Sequence, residues 1–229
     1  MALGVCHTWA NGGELFNEDY TKPLMNQPAA VEALQFIYDL TYKDKVAPTP
    51  QEWAPFGAGS WAGRQAKDVG MLMSGNWELA MITKLKNRDN YGLTFLPVGK
   101  TGSPVGLDHS EALGIFAQTK HKEESWEVFK WMVGKEAQLK RTKAGFAGAP
   151  AIKSLAKDLK EDPYFWVPDN EEYFWESAKY VHALPSFVKY GEWFTVFNKH
   201  LELIRDNKMS PKAAMDAVAA ETAKLLAEK

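Results

Sequence analysis

Asp108-His109-Ser110 gathers the three residue types of a hydrolytic relay, in which an oriented imidazole takes the proton of a hydroxyl nucleophile. Adjacent side chains point in different directions, so the three cannot form that relay among themselves. Gly57-Ala58-Gly59-Ser60-Trp61-Ala62-Gly63 has the glycine density of a phosphate-cradling loop. Its spacing is GxGxxxG and no strand leads into it, so it fails the structural context that a cofactor loop requires. The five histidines, His7, His109, His121, His182 and His200, lack HxH, HxxxH or HExxH spacing, and no metal site or other cofactor is read from them. Cys6-His7 sets a thiol beside an imidazole, but nucleophilic pairs are assembled in space from separate segments. Glu123-Glu124 and Glu171-Glu172 lie in charged helical surroundings and read as solvated faces.

What remains is a set of aromatic residues placed at turns. Trp77 follows Ser74-Gly75-Asn76, at a helix start just after a strand end, where open α/β sheets form ligand crevices. Trp193 follows Tyr190-Gly191, again where a loop is expected to become a helix. A flat indole can cover the C–H face of a pyranose while neighbouring amides and carboxylates bond its hydroxyls. Trp126, inside a helical stripe, reads as core instead.

The elements that would position these groups follow from periodicity and punctuation. Val31, Leu34, Ile37, Tyr38 and Thr41 recur at helical spacing behind Pro28, giving a helix from Pro28 to Lys43. Pro48 to Arg64 reads as loop around a short helix. Strands are expected at Val69–Met73, Tyr91–Leu96 and Ala112–Ala117, with a helix from Trp77 to Lys86 between the first two. Lys122 to Thr142 is the clearest amphipathic helix, with Trp126, Phe129, Met132, Val133 and Leu139 on one side. A short helix at Ile152–Lys160 precedes helices at Glu172–Ala183 and Trp193–Asn207, and a last one opens with Ser210-Pro211 as cap and first turn. Strands alternating with helices, with helices gathered at the end, predict an α/β protein.

Composition narrows the classes further. The chain has 229 residues, 27 Lys+Arg against 29 Asp+Glu, and 45% hydrophobic residues, the profile of a globular protein with ample core material. A net charge of −2 supplies no electrostatic footprint for nucleic acid. One cysteine permits no intrachain disulfide, and no apolar run approaches the roughly 20 residues of a membrane span. Neither a basic n-region nor an apolar h-region precedes Cys6, so the first residues read as an ordinary start and not as a leader.

Several motifs occur in a familiar order. Trp9-Ala10-Asn11-Gly12-Gly13-Glu14-Leu15-Phe16, Gln27-Pro28-Ala29-Ala30-Val31-Glu32-Ala33-Leu34-Gln35-Phe36 and Val46-Ala47-Pro48 come first. They are followed by Val69-Gly70-Met71 to Ser74-Gly75-Asn76-Trp77, Leu96-Pro97 with Gly99-Lys100, Leu113-Gly114-Ile115 with Lys120 to Glu127, and Gly145 through Ala149-Pro150-Ala151. This succession resembles the extracellular solute-binding proteins of carbohydrate ABC importers, the maltose-binding-protein-like family. The resemblance implies a periplasmic-binding-protein-like (type II) architecture of two α/β lobes with a helical C-terminal region. It also implies a mono- or oligosaccharide ligand, delivery to a membrane permease, an extracytoplasmic location and no catalysis. Ligand contact is thereby expected at Trp77 with Gly75 and Asn76, at Trp193 with Tyr190, at Asp108 and His109, and at Trp9. A polyol phosphate ligand, or an isolated lobe without binding of its own, stays open. Arg64 and Arg88 are the two arginines of the first half, which favours a neutral sugar over a phosphate.

By the same resemblance, residues 1–96 and 150–229 are expected in the C-terminal lobe, and 97–149 in an excursion into an N-terminal lobe whose remainder lies outside this sequence. Such an incomplete lobe leaves apolar faces and sheet edges uncovered. A homodimer by exchange of segment 97–149 is one expected remedy.

Overall fold

In a computed structural model of the chain, residues 2–56, 69–78, 82–144, 148–161, 170 and 172–228 are described. They gather in two compact units. The first holds Met1–Met73, Phe95–Asp108 and Lys179–Lys229, and the second Ser74–Thr94 and His109–Ala178. These divisions fall at other points than the segments 1–96, 97–149 and 150–229 expected from resemblance. Among the described residues no helix is long and apolar enough to cross a membrane.

The first unit is helical. Helix α1 (Ala2–Ala10), not anticipated from sequence, ends in a Schellman motif: Gly12 N–H donates to Trp9 O and Gly13 N–H to Thr8 O, both 2.9 Å. Gly12 has φ +79°, the left-handed backbone that closes such a cap and that side chains disfavour. Gly13 passes so close to the next helix that an added Cβ would stand 2.9 Å from Ala30 N. That helix, α2 (Pro28–Tyr42), starts with proline in its first turn as expected, and buries Ala30, Ala33 and Leu34.

The junction of α1 and α2 is locked by side chains. Asn11 Nδ2 donates to Ala29 O (2.8 Å) and to Glu32 Oε2 (3.0 Å). Lys100 Nζ donates to both Glu32 oxygens (2.6 and 2.5 Å) and holds that carboxyl below its ordinary range. Thr101 N–H reaches Ala10 O, the last carbonyl of α1 (3.1 Å).

Helix α3 (Pro50–Trp53) is a single turn closed by a Thr49–Glu52 capping box. Two long helices complete the unit. Helix α8 (Tyr190–Arg205) turns Trp193, Phe197, His200 and Ile204 inward, and α9 (Pro211–Ala227) answers with Ala214, Met215, Val218, Ala219 and Thr222. Helix α9 begins as expected, with the Ser210 hydroxyl accepting Ala213 N–H. Phe16 meets Phe187 and Trp193 edge-on at 5.2 and 5.3 Å, and Trp193 stacks on Phe197 at 5.3 Å. Each of these large side chains contributes about 1.5–3 kcal/mol by leaving water. His200 is a core histidine whose Nδ1–H bonds Val196 O (2.9 Å).

One parallel pair of two-residue strands, β1 (Gly106–Leu107) and β2 (Val181–His182), forms the sheet of the described residues, with Gly106 opposite Val181 and Leu107 opposite His182. The pair flanks the points where the chain leaves the first unit after Asp108 and re-enters it at Lys179.

The second unit carries α4 (Lys122–Val133), α5 (Lys135–Ala144), α6 (Leu155–Lys160) and α7 (Glu172–Glu176). The single helix expected over 122–142 is two, because Gly134 is extended (φ −74°, ψ 164°) and returns its N–H to Trp131 O. Helix α4 buries no residue, and Trp126, expected in the core, is 48% exposed and stacked on Phe129. The helix expected over 172–183 stops at Glu176, followed by a 3-10 turn at Ser177–Tyr180 and then β2.

None of the strands expected at 69–73, 91–96 and 112–117 is paired in a ladder. A strand needs a neighbour to take its N–H and C=O groups, and apolar sequence alone does not provide one. Leu93 shows the substitute: its N–H donates to Asn170 Oδ1 (3.1 Å) and its carbonyl accepts from Asn170 Nδ2. Of the helix expected over 77–86, Glu78 and Ile82 are helical and 79–81 lie outside the described residues, as does 57–68 with its glycine-rich loop.

Gly12→Ala forces a side chain into the left-handed region and costs about 1–2 kcal/mol. Gly13→Ala costs more, because its Cβ must push the first turn of α2 away; urea unfolding gives the order, and equal small effects would contradict it. Burial also pushes the Cys6 thiol up from 9.0 to about 11. Between those values the unfolded chain releases a proton that the folded chain keeps, so this contribution to stability is complete below pH 9 and is lost as pH rises towards 11. Tyr42 and Tyr190, raised first by burial, act in the same sense. Urea midpoints should fall over that range, and less steeply in Cys6→Ala.

Candidate ligand-binding site

The eight residues expected at a ligand divide evenly: Gly75, Asn76, Trp77 and His109 belong to the second unit, and Trp9, Asp108, Tyr190 and Trp193 to the first.

In the second unit the structure brings its four residues together. The six-membered ring of Trp77 lies against Gly75, where an added Cβ would stand 2.1 Å from Cζ3. The Asn76 amide lies against Gly148 in the same way, with an added Cβ 2.0 Å from Oδ1. Both positions therefore admit only glycine without displacing the polar or aromatic side chain above. The imidazole of His109 meets Trp77 edge-on, 5.5 Å between centroids and 72° between planes. Trp77 keeps 38% of its surface exposed, and Asn76 and His109 are exposed beside it. Ser74 Oγ donates to Glu78 Oε1 (3.0 Å) one turn on, tying the loop to the buried Glu78. An open indole met edge-on by an imidazole offers an apolar surface with a polar group at its edge.

In the first unit the outcome differs. Trp9 is 6% exposed and stacks on His182 at 5.0 Å, and His182 O accepts Asp108 N–H (2.9 Å). Trp193 is fully buried. The expectation that it stands where a loop becomes a helix fails, because α8 begins three residues earlier and places Trp193 on the inward face with Phe197. Tyr190 packs on its ring at 5.5 Å and is half-buried, which pushes the phenol up. As placed, Trp193 is a core residue and offers no ligand-facing surface.

A concavity of about 530 Å³ in the first unit is lined by Val31, Glu32, Gln35, Phe36, Asp39 and Lys212 among others. Its charged groups are engaged: Glu32 with Lys100, and Lys212 with Asp216. Among the described residues no group of three His, Cys, Asp or Glu converges as metal ligands would. Sequence reasoning missed His182, Gly148 and Asn170. Glycine and asparagine at loop positions were visible, but the side chain each one supports depends on tertiary contacts.

The family model described as bacterial extracellular solute-binding protein matches residues 7–139. A binding protein of Brucella abortus (strain 2308) is 27% identical over 150 residues, which are 65% of this chain and 35% of that protein. Among solved structures, the maltose-bound MalE3 of T. maritima superposes with a TM-score of 0.76 at 19% identity, over 97% of this chain and 56% of that one. An ABC substrate-binding protein from Listeria monocytogenes in complex with cycloalternan gives 0.72 at 21%, over 99% and 56%. The sugar-binding protein MalE of Xanthomonas citri gives 0.73 at 18%, over 99% and 56%. The chain thus spans a little over half of these structures and about a third of the curated relative. The fold is the type II periplasmic-binding-protein-like α/β architecture, seen here in its helix-rich part, and the chain belongs to the bacterial extracellular solute-binding protein family.

Proposed function

We propose that the chain is the carbohydrate-binding part of a receptor for an ABC-type importer, non-catalytic and working outside the cytoplasm. The carrying observation is the Trp77 platform. An indole held by Gly75, met at its edge by His109 and left partly open is the surface on which the C–H face of a sugar ring stacks. Asn76 and His109 supply the donors and acceptors for ring hydroxyls. The support from comparison is that structures sharing this fold hold maltose and cycloalternan. In this reading residues 1–96 and 150–229 belong to the family's C-terminal lobe, and 97–149 to an excursion into the N-terminal lobe. A membrane permease is the acceptor of the sugar.

A thermal-shift screen of mono- and oligosaccharides tests the reading. A sugar at a hundred times its Kd stabilises the folded chain by about 2.7 kcal/mol, which raises Tm by about 5–10 °C at this size. No shift with any sugar, alongside one with glycerol phosphate, would replace the ligand class; no shift with either would leave an inert lobe. With the active sugar, calorimetry should show Trp77→Ala weakening Kd about thirtyfold, the loss of a central aromatic contact worth about 2 kcal/mol. Gly75→Ala should weaken it as well, through displacement of the indole. Unchanged affinity in Trp77→Ala removes the platform.

A further inference from the structure

Thr142, near the end of α5, directs its hydroxyl away from its own helix. A threonine inside a helix commonly donates to the carbonyl one turn back, as Thr8 does to Gly4 O (2.8 Å) and Thr195 to Gly191 O (2.9 Å). Thr142 is 2% exposed and donates instead to Gly148 O (3.0 Å), beyond the helix end. Gln138, one turn earlier on the same face of α5, accepts Ile152 N–H (3.2 Å). Two side chains of α5 thus fix the returning segment 148–152. Lys84, downstream of Trp77, donates to Ala144 O, the last carbonyl of α5 (3.1 Å).

Gly148 is where that segment meets the candidate site. A Cβ added there would stand 2.0 Å from Asn76 Oδ1 and 3.0 Å from its Nδ2, so the amide rests on the glycine with its oxygen side inward. The Asn76 side chain is otherwise exposed, and no hydrogen bond to another described residue engages it. An amide without a bond of its own is placed by contact alone. Its position follows Gly148, and that of Gly148 follows the Thr142 hydroxyl. Thr142 itself is buried and touches no ligand, so any influence on binding has to pass through this relay.

We infer that Thr142 is a positioning residue of the proposed sugar site: through Gly148 it fixes the Asn76 amide, and so selects which ring hydroxyl that amide meets. The inference rests on the sugar reading for its ligand, but its first test needs no sugar. Side-chain amide resonances of Asn76 in the ¹⁵N-labelled chain, assigned by their loss in Asn76→Asp, should move in Thr142→Val, which keeps the shape and removes the donor. Thr142→Ser, which keeps the donor, should return them to place. Gly148→Ala, which leaves α5 intact, should move them as well. With maltose as the probe, calorimetry should give Thr142→Val a Kd about three- to tenfold weaker, rescued in Thr142→Ser. A merely structural loss would weaken binding in any background, whereas the relay requires that Thr142→Val add nothing to Asn76→Ala. Should Thr142→Val fail to fold, Gly148→Ala carries both tests. Asn76 resonances indifferent to Thr142→Val and Gly148→Ala overturn the proposal. So do equal losses from Thr142→Val in the wild-type and Asn76→Ala backgrounds. Moved resonances without maltose binding uphold the placement of Asn76 by Thr142 and turn the failure onto the ligand class of the sugar reading.

Discussion

The helix cap at Asn11-Gly12-Gly13 is the constraint on which the first unit depends. Gly12 alone can take the left-handed backbone that returns the last N–H groups to Trp9 and Thr8, and Gly13 alone lets the loop pass against the first turn of α2. Once the chain is turned in this way, Asn11 faces Ala29 and Glu32, and Glu32 faces Lys100. Three separate sequence motifs, the NGGE run, the PAAVE helix start and the Gly99-Lys100 turn, therefore meet at one junction. Each supplies one part of the contact that locks α1 against α2.

The sheet shows the opposite relation between sequence and structure. Local pattern predicts strands at 69–73, 91–96 and 112–117, and the composition there is indeed apolar and β-branched or aromatic in part. A helix satisfies its backbone within itself, whereas a strand depends on chain that is distant in sequence. Helices α2 and α9 accordingly appear where their proline-led starts place them. The predicted strands lack ladders, and at Leu93 a single asparagine takes over the role of a neighbour.

The candidate site was legible to the same degree. Trp77 stands out because it follows Ser-Gly-Asn at an expected helix start, and the structure gives Gly75 the specific task of lying under its ring. Trp193 carried the same kind of signal and is core, because the helix start shifted by three residues and rotated the indole inward. A shift of one turn's fraction is beyond what local pattern resolves, yet it decides between platform and packing. His109, unreadable as a ligand from its tripeptide, takes its meaning from the edge-on contact with Trp77.

The proposed sugar contact falls on Trp77 and not on the buried Trp193. Indole N–H resonances of the ¹⁵N-labelled chain, assigned by single Trp→Phe substitutions and followed during titration with maltooligosaccharides, test it most directly. The Trp77 resonance should move with saturation while that of the buried Trp193 stays in place. Movement of the Trp193 resonance with a stationary Trp77 would contradict it.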